Sequence, residues 1–564
     1  MSRGGGVMAA RGFHHRLLGP DGAVISAQCA PGTPAFFGAI SDAPFPGTGL
    51  TNVTPSQWNA AALEPQPPGI LPRLVWVVPG QVSSTDDEAA VGTLRHEIGH
   101  TVGFDHEEIA FNPDLANESC NEPSPRSIVP PDPNSVMTTP ECNGGSDGYH
   151  LTDSDRLSAF LLYHTARTRF ELRGAGVGYR YGAGGGTGGA EILWHGPAAT
   201  AGEVWTPTVG PMGIEFIPTP TPYFVGAVPA DWFPTDNDVV IPARLSGNES
   251  AFDLLFHGPG PDSDFAGINT AGTFETIGWL SDAFVVPLVG AFDALDLGTD
   301  QIYLYAPGPV PDSAIRYVEG VGIEQMEAVP QMDGYAYPIV APFRGTNFPD
   351  DIIWLDPLIG QLTTWLTGPT ALDVSVSTIA QTDAGLSGGE LVPAIGDFNG
   401  DDRADIMWHG VAALPAFADI EDVLWISQST PEAIGFVELG KSVGNSFRPF
   451  VGDFDGDGVD DIFWQRSWEL TSDGPSETET GPSYLWYFDP SGGGHVAESF
   501  VLSGDYSPYV GDFDADGCHD IAWFDSVGDS VSVWRCIPGQ RDFECGPTIA
   551  TQPDTAPVGV HWGF

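Results

Sequence analysis

Gly452-Asp453-Phe454-Asp455-Gly456-Asp457-Gly458-Val459-Asp460-Asp461-Ile462-Phe463-Trp464 joins two signals. Its first half sets carboxylates at alternate positions among glycines, a tight acidic turn; its second half is a short apolar strand ending in an aromatic. The pattern returns as Gly-Asp-Phe-Asn-Gly-Asp-Asp-Arg-Ala-Asp-Ile-Met-Trp from Gly396 and Gly-Asp-Phe-Asp-Ala-Asp-Gly-Cys-His-Asp-Ile-Ala-Trp from Gly511. Aligning on the acidic or amide residue before the strand extends the series to seven: Glu191, Asp253, Gln301, Asp351, Asp405, Asp461 and Asp520. The spacings, 48 to 62 residues, bracket the period of about 50 that a four-stranded propeller blade needs. Seven such units predict an all-β seven-bladed propeller over 169–564, a closed ring without long exposed strand edges.

The acidic turns have a chemistry of their own. Asp-x-Asp/Asn-x-Asp-x-x-x-Asp brings hard oxygen ligands to alternate positions of one loop, which suits calcium's demand for six or more oxygens. Three loops satisfy it: Asp397/Asn399/Asp401/Asp405, Asp453/Asp455/Asp457/Asp461 and Asp512/Asp514/Asp516/Asp520. About three structural calcium ions are expected, since clustered carboxylates without a cation repel one another. The bland alternative is acidic surface turns holding no ion. The four earlier copies lack the ligands.

At 564 residues the chain exceeds what one core supports, so more than one domain is expected. With 72 Gly and 51 Pro the composition suits short strands and turns. A formal charge of −55 argues against nucleic acid and anionic membranes, both of which would repel it. No apolar stretch is long enough for a membrane span. Six cysteines without a Cys-x-x-Cys point to disulfides and an oxidising, extracellular setting. Cys120 with Cys142 and Cys536 with Cys545 are the nearest candidate pairs, while Cys29 and Cys518 have no local partner. Met1 to Pro20 shows no apolar run of a secretory signal, so either the chain starts downstream of its true start, or mature numbering is used, or export takes another route.

Ahead of the repeats, 1–168 reads as mixed helix and strand. His96-Glu97-Ile98-Gly99-His100-Thr101-Val102-Gly103-Phe104-Asp105-His106 places two histidines four apart on one helix face with Glu97 beside them. Gly103 lets the chain turn, so His106 can supply a third nitrogen to one zinc and leave a position for water. Glu97 would be the general base acting on that water. Asn134-Ser135-Val136-Met137-Thr138-Thr139-Pro140 follows, and Leu151-Thr152-Asp153-Ser154-Asp155 reads as the cap of a helix over 156–163.

These residues resemble the metzincin clan of zinc peptidases, and within it the dual-action HEIGH metallopeptidases, with a likeness to astacins through Gly103-Phe104, His106 and Glu107. The resemblance implies a multidomain chain: an α/β (α+β) catalytic domain over 1–168, with Met137 in a Met-turn beneath the zinc and Leu74 to Val78 as the substrate-aligning strand, then the propeller. Thr139 stands where relatives often place a tyrosine. The acidic repeats resemble FG-GAP repeats, the blades of integrin-type propellers. Together these imply a secreted, monomeric zinc endopeptidase acting on a protein or peptide, whose propeller binds an unidentified ligand. The competing expectation is an adhesion or ligand-binding propeller with a weak or inactive protease domain.

Overall fold

In a computed structural model, the structure describes most of 189–551 with Ala556–Pro557, together with three short strands, His96, 134–138, Thr152 and Asp155 further upstream. The described residues from 189 onward are all-β. Seven four-stranded antiparallel sheets follow one another along the chain as the blades of a propeller. Blade 2 comprises Val239–Ala243, Asp253–His257, Phe265–Thr270 and Thr273–Gly278. Blades 3 to 7 repeat that meander, each opening on an innermost strand: Val286–Gly290, Tyr337–Ala341, Leu391–Gly396, Phe447–Gly452 and Ser507–Gly511. In blade 1 the first strand is Ala556–Pro557, from the other end of the ring, paired with Ile192–His195. Sewing the last segment into the first blade closes the circle, and closure removes free sheet edges between blades.

The signature residue opens the second strand of every blade except the first, where Glu191 precedes it, and the register explains its surroundings. Gly396 pairs with Asp405, Gly452 with Asp461 and Gly511 with Asp520. Glycine is required there because the next blade packs against it. A Cβ on Gly452 would sit 2.8 Å from Val510 Cγ1, one on Gly396 2.9 Å from Val451 Cγ1, and one on Gly290 3.0 Å from Val340 Cγ1. Within blades the core is built on paired indoles from the second and third strands. Ring centroids lie 4.8 to 5.5 Å apart for Trp194/Trp205, Trp354/Trp365, Trp408/Trp425, Trp464/Trp486 and Trp523/Trp534. Such tilted and edge-to-face pairs add about 0.5–1.5 kcal/mol each beyond the area they bury. Outer strands such as Phe436–Lys441 and His495–Phe500 are half-buried to exposed along their whole length.

Blades are also riveted to one another by the residue just before the signature. The Asp460 N–H donates to the Asp397 carbonyl (2.9 Å) and its carboxylate accepts from the Asp397 N–H (2.8 Å). Asp350 does the same to Ala291, and Asp300 to Arg244. His519 does it to Asp453, with Nδ1 accepting the return bond at 2.7 Å. Where blade 7 meets blade 1 the backbone bond alone remains, from the Ala190 N–H to the Asp512 carbonyl (2.7 Å).

The seven-bladed propeller therefore stands, whereas the α/β (α+β) metzincin-like domain is corrected: every named element among the described residues is a strand, and helix occurs only at the single positions His96 and Asp155. What is described of the first part is a three-stranded sheet, with Leu74–Val77 parallel to Phe37–Ile40 and antiparallel to Ala60–Ala62. The strand expected at Leu74 is present as its central member. The expected helix over 156–163 and the boundary at 168 lie outside the described residues.

Candidate cation centre

Each acidic loop joins the first and second strands of its blade, and its first aspartate organises the turn. In blade 6, Asp453 Oδ1 accepts from the N–H groups of Gly456 (2.7 Å) and Asp457 (3.2 Å), and Oδ2 from Gly458 (2.9 Å). In blade 7, Asp512 accepts from Asp516 and Gly517 (both 3.1 Å). The turns need left-handed residues at two positions, filled by Gly456 and Gly458 in blade 6 and by Ala515 and Gly517 in blade 7.

The last aspartate of each loop is a fold residue first. Asp461 accepts from the N–H groups of Phe454 (2.9 Å) and Phe488 (2.8 Å), and Asp520 from Phe513 (2.9 Å) and Cys536 (2.8 Å). Asp253, in a blade without an acidic loop, does the same for Ser246 and Asn269 (both 2.7 Å). The signature thus ties the turn to the third strand in every blade where it is an aspartate with both oxygens so engaged, and in blades 6 and 7 it also borders a cluster of acids.

Two three-carboxylate clusters form among the described residues, Asp453/Asp455/Asp461 and Asp512/Asp514/Asp520, each with one oxygen from every member within 4.8 Å of the others. Burial pushes Asp453 up to about 6 and Asp520 up to about 8, and drives Asp461 well above the usual carboxylate range; neighbouring aspartates raise all three further. The middle member of each cluster shows what the arrangement lacks. Arg541 Nε donates to Asp455 Oδ2 (3.3 Å), and Arg535 Nε to Asp514 Oδ2. Asp455 Oδ1 and Asp514 Oδ1, by contrast, are buried with no hydrogen-bond partner. Their side chains are only 9% and 2% exposed. A dry, unpartnered carboxylate oxygen is costly unless a cation meets it. The donor set, all carboxylate oxygen, fits a hard divalent ion.

Blade 5 departs from its siblings. Asn399 replaces the middle carboxylate, accepting from the Asp401 N–H through Oδ1 and donating to Asp401 Oδ2 through Nδ2. Arg403 also pairs with Asp401, and Asp397, Asp401 and Asp405 make no three-carboxylate cluster. Asp457 and Asp516 instead brace their turns, Asp457 Oδ1 accepting from Val459 (2.9 Å) and Asp516 Oδ1 from Cys518 (3.2 Å). Of the three expected loops, those of blades 6 and 7 bring three carboxylates together, while that of blade 5 offers an amide at the middle position.

The disulfide in this region joins Cys518 to Cys536, and Cys545 is free and exposed. The expected Cys536–Cys545 pairing is corrected: across the hairpin Cys536 faces Phe543 and Cys545 faces Trp534. Cys120 and Cys142 lie outside the described residues.

Of the expected zinc site, Glu97, His100 and His106 lie outside the described residues. His96 and Met137 are described and come close in space: both are buried, and His96 Nδ1 donates to the Val136 carbonyl at 2.7 Å. Asp155 braces that turn, accepting from Ser135 Oγ (2.5 Å) and the Val136 N–H (3.0 Å), and burial raises its pKa.

No family model and no curated protein matches the chain. Among solved structures, a Bacteroides fragilis protein described as a 6-phosphogluconolactonase shares 8% identity, covering 65% of this chain and 96% of its own, at a TM-score of 0.38. A Bacteroides uniformis protein of the same description shares 9%, covering 65% and 98%, at 0.39. The periplasmic gluconolactonase of Pseudomonas aeruginosa shares 12%, covering 66% and 99%, at 0.34. Likeness this low carries no argument about activity. The metzincin and FG-GAP memberships find no family match. The zinc metalloendopeptidase expectation is corrected with them: the fold among the described residues is a propeller, and no peptidase family model matches the chain.

Proposed function

We propose that this chain is a calcium-dependent binding propeller, with one calcium in the acidic loop of blade 6 and one in that of blade 7. The observation that carries the reading is the pair of buried, unpartnered oxygens, Asp455 Oδ1 and Asp514 Oδ1, each within a three-carboxylate cluster. Calcium would complete those oxygens, relieve the repulsion among the acids and hold the turn from which the second strand departs. The ring then serves as a rigid scaffold for a partner or ligand, and the excess of 75 acidic over 20 basic residues favours one that is not polyanionic. The buried Cys518–Cys536 disulfide supports an extracellular setting.

Isothermal titration of the full chain with calcium tests the reading. Two ions per chain are expected, and Asp455→Asn combined with Asp514→Asn abolishes both. No binding by the wild type, or unchanged binding by the double variant, overturns it.

A further inference from the structure

The two carboxylate clusters belong to neighbouring blades, yet one hairpin reaches both. Its strands are Ser530–Cys536 and Phe543–Ala550 of blade 7. From the first strand, Arg535 engages Asp514 and Asp516 of its own blade's loop. From the connecting turn, Arg541 crosses to Asp455 of blade 6, with its guanidinium 4.9 Å from the centre of the Tyr487 ring. The Gly539 N–H donates to the Asp455 carbonyl at 2.6 Å, and Pro538 lies against Gly456. Between the two arginines, Cys536 is bonded to Cys518, and Cys536 Sγ lies 3.1 Å from the Phe454 carbonyl oxygen. Next to Cys518, His519 clamps the backbone of Asp453 from both sides. Both Asp453 and Asp455 are thus held in place by blade 7.

We infer that the two sites load as a coupled pair, with the blade 7 hairpin as the coupling element; this rests on the calcium reading above. Ordering of the blade 7 loop by its ion fixes Cys518, and through the disulfide the base of the hairpin. The turn then stays docked on blade 6, where Arg541 holds one oxygen of Asp455 and leaves the other directed at the ion. Arg541 acts as a positioning residue. A docked and an undocked turn are the two states, and each ion favours the docked one, so the effect must be reciprocal.

The experiment is calcium titration of the full chain by calorimetry, comparing wild type with Asp514→Asn, which removes the blade 7 site, and Asp455→Asn, which removes the blade 6 site. Each variant should keep one ion, bound on the order of tenfold more weakly than in the wild type, with the same factor in both directions, as reciprocal coupling requires. In an Arg541→Ala background the Asp514→Asn substitution should no longer change affinity at blade 6. Near-ultraviolet circular dichroism confirms that each variant is folded, and Arg541→Lys, which keeps the charge but not the planar fork, gives a second reading should the alanine variant fail that control. Two ions bound with affinities that each single variant leaves within about twofold overturn the coupling alone. No calcium bound by the wild type overturns the underlying reading and this inference with it.

Discussion

Replacing Asp253 with alanine separates what the signature aspartate does for the fold from what it does for a cation. Asp253 is fully buried, and its two oxygens accept from the N–H groups of Ser246 and Asn269 at 2.7 Å each. Its blade has no acidic loop, so no ion enters the balance. Alanine strands two backbone donors at about 1–3 kcal/mol each, near 4 kcal/mol together. Unfolding entropy of about 2.1 cal/mol/K per residue over roughly 370 propeller residues amounts to about 0.8 kcal/mol/K, so the melting temperature should fall by about 5 °C. Asp461→Ala strands the N–H groups of Phe454 and Phe488 and should cost the same when calcium is chelated. With calcium at about 100 times its Kd, Asp461→Ala also forfeits a site worth about 2.7 kcal/mol, a further 3 °C or so, while Asp253→Ala loses nothing more. Scanning calorimetry with and without chelator reads all four values. A melting temperature for Asp253→Ala within 1 °C or so of wild type would refute the structural role, since two stranded donors cannot cost so little. Equal losses for the two variants in calcium would refute a part for Asp461 in the cation site.

Calcium should oppose the pH dependence of stability. Burial lifts Asp405, Asp460 and Asp520 up to about 8 and Asp453 up to about 6, from an ordinary 3.8. A raised carboxyl stabilises the fold below its unfolded value and loses that contribution as pH climbs through the folded one, so in chelator stability should fall between about pH 4 and 8. Calcium needs the ionised form, so the calcium-induced rise in melting temperature should grow from pH 5.5 to 8; a rise independent of pH contradicts the assignment. Ala515 holds φ 61° where blades 5 and 6 have Gly400 and Gly456 at 71° and 72°. Ala515→Gly should relieve about 1–2 kcal/mol of strain against a smaller entropy loss, for a net gain of about 0.5–1 kcal/mol by urea denaturation; a destabilised variant refutes it.

The ring was legible because its signature repeats once per blade and does the same work in several of them. Asp253, Asp461 and Asp520 all join a turn to a third strand, so the period of the residue is the period of the fold. The N-terminal expectation rested on a local pattern. A histidine spacing of four places two imidazoles on one helix face, but the pattern contains nothing that specifies the surrounding domain. The cation sites fall between these cases. Alternating carboxylates located the loops, but Asn399 sets blade 5 apart from its siblings, with an amide where they carry a carboxylate. What joins the remaining two leaves no periodic trace. Arg541 meets Asp455 across 86 positions and His519 meets Asp453 across 66, because blade packing rather than the repeat brings them together. Cys518–Cys536 lies within one blade and escapes the repeat for another reason: proximity along the chain favours Cys545, but hairpin register turns Cys536 toward the blade 7 loop. Repetition reports on blade interiors, while coupling lives in the joints, where a residue's partner belongs to a different copy.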